Sequence, residues 1–301
     1  MANGHIMQLF NVIEIETVNL CTRRCWHCKF GQERKDGPVK WLSNELLEKI
    51  ADNLKELNFR GRISPFGINE PLMDRRMPDI FRLFRSSCPD SMITLASNGD
   101  LLTPEIYRNL LDAGLDGLGL SIYDKESFKK LKIYWKDPKV RLMDGRHEPF
   151  WENRGGQIKK GKFAPKIDKT CLRPFHSIVI KPNGDVVLCC SDMYGDMVMG
   201  SIAENRLEEI WNSEKFRRYR SRLAAHTRKG LLLCETCSYE GGFNAFDFPF
   251  HIPSKSPLYI SLRQIFRRMN SFFPENYLYY FVKMIRTLIE NKQNLKSKKL
   301  L

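Results

Sequence analysis

The 301-residue chain lacks any apolar run long enough to cross a bilayer. Its first nineteen residues, MANGHIMQLFNVIEIETVN, lack the basic region and apolar core of a secretory signal. These absences lead us to expect a cytoplasmic protein. Disulfides do not persist in that compartment, so nine cysteines need another use. An aromatic-studded basic motif of the RNP kind is also missing, so a net charge of +14 does not point to a specific nucleic acid. Much of that charge sits in residues 251–301, which hold ten Lys and Arg against two Glu. What is present is ordinary globular composition, 42% hydrophobic and 28% charged, with length enough for one large domain or two modest ones.

The cysteines fall into two groups. NLCTRRCWHCKFG (19–31) holds Cys21, Cys25 and Cys28 with no fourth cysteine beside them. Cys171, Cys189, Cys190, Cys234 and Cys237 are spread through the later chain, and Cys88 stands alone near an expected helix end, where a small buried thiol fits. Zinc asks for a closed tetrahedron of four N or S ligands. Cys171, Cys189, Cys234 and Cys237 could supply one, whereas the first group would need His27 or a distant residue. Iron–sulfur clusters take cysteine thiolates as well, usually four. Three in one loop hold three corners of a cube and leave the fourth iron open to another ligand.

C-x3-C-x2-C in a loop after an early strand resembles the signature of radical S-adenosylmethionine (SAM) enzymes. In that family the open iron binds the amino and carboxylate groups of SAM. The position before the third cysteine is usually aromatic; here it is His27, preceded by Trp26. GINEPL (67–72) is similar to the family's GEP element, with Asn69 and Glu70 where Gly-Glu is usual, and the resemblance implies a hold on the methionine amino group. TLASNGDLLT (94–103) and DGLGLSIYD (116–124) are similar to the next cofactor-facing strands, which makes Ser97, Asn98 and Ser121 cofactor contacts.

Periodicity supports the same fold class independently. NVIEIETVN alternates like a strand. In SNELLEKIADNLKEL (43–57), a Ser43 or Asn44 cap precedes a helical face of Leu46, Leu47, Ile50, Leu54 and Leu57. Strand RISPFGI, helix PDIFRLFRSS, strand MITLAS, helix TPEIYRNLLDAG and strand GLGLSI follow. This alternation predicts an α/β fold with a parallel sheet. Too few units precede residue 125 for eight, so the expectation is a partial (β/α) barrel of TIM-like, radical SAM type with chemistry at the C-terminal strand ends.

CLRPFHSIVIKPNGDVVLC (171–189) reads as two strands about a Pro-Asn-Gly turn, with four residues between Gly184 and Cys189. It resembles the opening of a SPASM domain. No cysteine follows Cys237, which matches the shortened Twitch form with one auxiliary cluster. That resemblance implies Cys171, Cys189, Cys234 and Cys237 as a complete ligand set and electron transfer as its role. LCC offers Cys190 as an alternative to Cys189. The expected cofactors are therefore two 4Fe–4S clusters and SAM, with scaffolding as the other reading of the second cluster.

GRIS (61–64), NRGG (153–156), MVMG (197–200), IW (210–211) and KFRRYR (215–220) resemble the Twitch-bearing dehydrogenases of aminocyclitols within this family. The resemblance implies a substrate contact for Arg154, in the element joining the two domains; a turn whose Arg makes a structural salt bridge is the alternative. It further implies a small-molecule substrate, sugar or aminocyclitol-like, oxidised at a hydroxyl-bearing carbon, and a reductant such as flavodoxin or ferredoxin. Because the cluster loop starts at Cys21, no room is expected for a leader-binding module, which disfavours a peptide maturase. An epimerase and a non-catalytic iron–sulfur or zinc protein remain the other readings. The expected domains are a barrel over 1–150, a linker over 151–170, an auxiliary-cluster domain over 171–240 and a basic, amphipathic helical tail over 241–301. For the tail, packing on the core or in a dimer, peripheral attachment to an anionic membrane, and docking of a partner are all open.

Overall fold

The computed structural model describes residues 9–32, 37–144, 152–159, 161–163, 165, 166, 168, 170–239 and 241. The chain divides into two units, 1–247 and 248–301. The expected tail helices, with any membrane or partner contact through them, lie outside the described residues. Among the described residues no helix is long and apolar enough to cross a membrane.

β1 (Val12–Ile15) is followed by α1 (Asn44–Glu56), β2 (Arg62–Ser64), α2 (Met77–Ser87), β3 (Met92–Ser97), α3 (Pro104–Asp112), β4 (Gly117–Ile122), α4 (Lys125–Leu131) and β5 (Val140–Asp144). Then come α5 (Arg173–His176), β6 (Ser177–Ile180), β7 (Asp185–Val187), β8 (Val198–Ser201), α6 (Leu207–Trp211) and α7 (Glu214–Ala224). The helices start where their caps dictate. Ser43 accepts from the Leu46 N–H and Thr103 from the Ile106 N–H, and Pro104 opens α3. The buried face of α1 is Leu47, Ile50, Ala51, Asn53 and Leu54, while Leu46 is only partly covered. Cys88 ends α2 and is buried in the core.

The sheet order is β5-β4-β3-β2-β1-β6-β7-β8. All pairs from β5 to β6 are parallel, and β7 and β8 join antiparallel. Six parallel strands thus make the partial barrel wall, and the β6–β7 hairpin carries the sheet into the C-terminal region. Two features differ from the sequence reading. The predicted strand RISPFGI is a strand only over Arg62–Ser64, because the chain must leave the sheet there to present residues 66–70 to the cavity. The sequence reading had no strand in the basic stretch after α4; there Val140–Asp144 form the edge strand β5, and of the described residues between 132 and 168 Arg154 lines the cavity described below.

Candidate active site

The C-terminal ends of β1 to β4 and β6 point to one side, and the cysteine loop lies across them. Within the loop, Cys28 N–H donates to the Cys25 carbonyl (3.0 Å) and Gly31 N–H to the Cys28 carbonyl (3.0 Å). Gly31 has no room for a side chain, since a Cβ would stand 2.2 Å from the Cys25 carbonyl oxygen. That close approach winds three cysteines into a small arc. Arg23 fastens the arc to the sheet. Its Nε donates to Asp100 (2.8 Å), its Nη2 to the other oxygen of that carboxylate (2.6 Å) and its Nη1 to Asp124 (2.9 Å). The guanidinium also lies over the Tyr123 ring, 5.1 Å from its centroid.

Cys21, Cys25 and Cys28 line one wall of a cavity of about 190 Å³. His27, Asn69, Glu70, Ser97, Asn98, Ser121 and Arg154 line the same cavity. Every cofactor contact expected from the sequence is therefore brought together there. Glu70, however, is 1% exposed and already committed. One of its carboxylate oxygens accepts from Leu72 N–H (3.0 Å) and Ser97 Oγ (2.7 Å), and the other from Asn98 N–H (2.8 Å). It joins the loop after β2 to the end of β3. Ser97 and Asn98 are held by it, and Asn98 Nδ2 donates to Thr22 (2.9 Å) and lies 3.7 Å from the Cys21 sulfur. Asn69 accepts from Gly67 N–H (2.8 Å), while its side-chain amide nitrogen is buried at the cavity with no hydrogen-bond partner. A buried, unanswered donor costs free energy unless a ligand's acceptor meets it.

Sequence reasoning missed Tyr123, Arg23, Phe30, Phe66 and Met193, which also line the cavity. Tyr123 stacks on His27 with ring centroids 5.9 Å apart. Burial, and then the Arg154 charge, push the His27 imidazolium down to about 4, so His27 is a neutral ring at physiological pH. Burial pushes the Cys21 thiol up to about 11, with the Arg23 N–H acting against it. Burial acts on Arg154 too, but the charges of Glu152 and Cys190 more than offset it, so the guanidinium stays protonated. Its Nη1 donates to the Cys190 carbonyl (3.0 Å).

The later cysteines meet at a second place. Cys189 lies within electrostatic reach of Cys234 and Cys171, and Cys234 within that of Cys171 and Cys237. The surroundings of Cys190 are different: Arg173, Glu14, Arg154 and Glu152. Arg173 stands near both thiols, but only Cys189 reaches Cys171 and Cys234, whereas Cys190 belongs to the polar network around Arg173, where Glu152 accepts from Arg173 (2.8 Å).

Both groups fit an iron–sulfur cluster. Among the described residues no three His, Cys, Asp or Glu side chains are set to hold a single metal ion. A cluster asks for something else, thiolates spaced to hold separate irons. A larger cavity of about 610 Å³ lies behind the NRGG turn, lined by Trp26, Gly155, Gly156, Leu233 and Thr236 among others, and none of the cysteines line it. The chemistry therefore belongs to the smaller one.

Comparison with known proteins agrees. Residues 15–131 match the radical SAM superfamily, and residues 171–238 match the SPASM iron–sulfur cluster-binding domain. The two matches bring with them SAM and two iron–sulfur clusters. The S-adenosyl-L-methionine-dependent 2-deoxy-scyllo-inosamine dehydrogenase of Niallia circulans is 27% identical over 236 residues, 77% of this chain and 94% of the relative. An AdoMet-dependent heme synthase of Methanosarcina barkeri is 32% identical over 103 residues, 34% of this chain and 28% of that one. Among solved structures, BtrN in complex with AdoMet and 2-DOIA superposes with a TM-score of 0.71 at 26% identity, covering 77% of this chain and 94% of that chain.

Proposed function

We propose that this chain, a radical SAM enzyme with a C-terminal SPASM-type cluster domain, dehydrogenates a small polyhydroxylated ring of the sugar or aminocyclitol class to a ketone. The observation that carries this reading is that Arg154 lines the same cavity as Cys21, Cys25 and Cys28. A cation facing three thiolate positions across a small cavity suits an oxygen-rich substrate held at hydrogen-abstracting distance. The similarity to an aminocyclitol dehydrogenase over 94% of its length supports the substrate class.

When bound, SAM and the two clusters supply a hydrogen-abstracting adenosyl radical and a one-electron acceptor. Converting CH–OH to C=O removes one hydrogen atom, one electron and one proton. The chain's residues bind, orient and exclude water. Cys21, Cys25 and Cys28 would hold the first cluster, and Cys171, Cys189, Cys234 and Cys237 the second. The Asn69 amide would donate to an acceptor of SAM, and the neutral His27 and Tyr123 rings give it an aromatic wall. Glu70 keeps Ser97 and Asn98 in place. Arg154 is a poor base, since it stays protonated; it donates to a substrate hydroxyl and stabilises negative charge as the oxygen loses its proton. A flavodoxin- or ferredoxin-like protein would reduce the first cluster.

Arg154→Gln tests the assignment. It should leave substrate-free SAM cleavage intact and abolish its stimulation by 2-deoxy-scyllo-inosamine. Equal stimulation in the variant and the wild-type protein would remove Arg154 from the substrate site.

A further inference from the structure

Arg154 enters the first-cluster cavity from a turn built on the loops of the other cluster. Arg154, Gly155 and Gly156 have φ of 52°, 62° and 79°. Glycine adopts such angles freely, but Arg154 does not, and its left-handed backbone persists only when its surroundings enforce it. Facing it is a second one, Leu233 with φ of 61°, immediately before Cys234. The two nest together. A Cβ on Gly155 would stand 2.8 Å from the Leu233 Cβ and 2.9 Å from its carbonyl oxygen.

Hydrogen bonds close the buckle. Asn153 N–H donates to Ser238 Oγ (2.9 Å), and the Asn153 side-chain oxygen accepts from Ser238 N–H (2.9 Å). The Asn153 side-chain amide donates to the Thr236 carbonyl (2.7 Å), and Thr236 Oγ1 donates to the Gly155 carbonyl (2.7 Å). All these partners lie in residues 233–238, the stretch that holds Cys234 and Cys237. At its other end the Arg154 guanidinium rests on the Cys190 carbonyl, one residue past Cys189.

We infer that Asn153 and Thr236 are positioning residues for Arg154, and that the seat of Arg154 in the first-cluster cavity depends on a loaded auxiliary site. The inference rests on the substrate role of Arg154 proposed above. Ligation at Cys234 and Cys237 pins the 233–238 loop at two points, and the pinned loop enforces the left-handed turn. The auxiliary site then has a second task beside electron transfer: it presents the guanidinium that grips the substrate.

Hydrogen exchange on the full chain tests the dependence. The amides of Gly156, Gln157 and Ile158 donate to the carbonyls of Asn153 and Arg154. In a Cys234→Ala/Cys237→Ala variant these amides should exchange at least about tenfold faster than in the fully loaded protein, with residues 21–31 unchanged. Unchanged exchange over 153–158 would overturn the inference. Asn153→Ala and the isosteric Thr236→Val test the positioning. Each should keep its iron content and its substrate-free SAM cleavage. Each should raise the half-saturating concentration of 2-deoxy-scyllo-inosamine about tenfold, equivalent to about 1.4 kcal/mol, with kcat nearly constant. No movement in half-saturation, or a loss of iron in both variants, would overturn the positioning role. If the wild-type protein does not turn over 2-deoxy-scyllo-inosamine, the substrate reading fails, and the exchange comparison still decides whether the auxiliary site orders the turn.

Discussion

Replacing Glu16 by Gln should cost this protein more than any exposed ion pair. Glu16 follows β1 and is 1% exposed, Lys29 is 2% exposed and Lys181 is 7% exposed. One Glu16 carboxylate oxygen accepts from Lys29 Nζ (2.6 Å) and the other from Lys181 Nζ, which also donates to the Met193 carbonyl (3.1 Å). A single carboxylate therefore joins the residue after Cys28 to the end of β6 and the loop beyond β7. Gln keeps the shape but removes the charge, and two buried ammonium groups then share a site without it. Breaking such a buried charge arrangement costs about 3–5 kcal/mol. For a chain of this size that amounts to a fall in Tm of roughly 10 °C. The exposed Asp79–Arg82 pair, with side chains 79% and 58% exposed, gives the contrast, since Asp79→Asn should cost under about 1 kcal/mol. Equilibrium urea unfolding of the metal-free full chain, followed by circular dichroism, measures both. A Glu16→Gln variant within about 1 kcal/mol of the wild-type protein would refute the burial argument.

Cys189→Ala should cost the protein about four irons per chain while Cys190→Ala costs none, read by iron analysis of the reconstituted protein; an equal loss in both would undo the assignment of Cys189. Arg23→Lys cannot keep the paired bonds to Asp100 and the bond to Asp124 together, so SAM should bind about tenfold more weakly by equilibrium dialysis; unchanged affinity would show that the clamp does not shape the site. Burial raises the Glu70 carboxyl, with bonds from Ser97, Asn98 and Leu72 acting against it. A raised folded pKa means that the folded state holds its proton longer, so this group's contribution to stability falls as pH rises from the ordinary carboxylate value through the raised one. Glu70→Gln should therefore flatten the decline of stability with pH in that window, and an unaltered slope would contradict it.

Elements governed by local rules were legible in the sequence. Ser43 and Thr103 mark the starts of α1 and α3, and the hydrophobic spacing of 46–57 and 78–87 marks the lengths of α1 and α2. The cluster loop was legible because three cysteines at that spacing have few other uses. What escaped was non-local. SIVI at 177–180 is buried throughout, and nothing in it says that its neighbour is Val12–Ile15, more than 160 residues earlier. β5 was hidden in a basic stretch because an edge strand needs only one neighbour and tolerates exposed charge. The four residues between Gly184 and Cys189 favoured Cys189 over Cys190, and the structure adds the approach of Cys189 to Cys171 and Cys234. Glu16, Lys29 and Lys181 belong to no sequence motif, and only their convergence reveals a buried ion group.

The most direct test is anaerobic turnover by the fully loaded, reduced chain with SAM and a panel of aminocyclitols and amino sugars, following 5′-deoxyadenosine and substrate mass together. The account predicts that one member of the panel stimulates 5′-deoxyadenosine formation and yields, in equal amount, a ketone two mass units lighter. Stimulation with no lighter product, or stimulation by peptides alone, would contradict it.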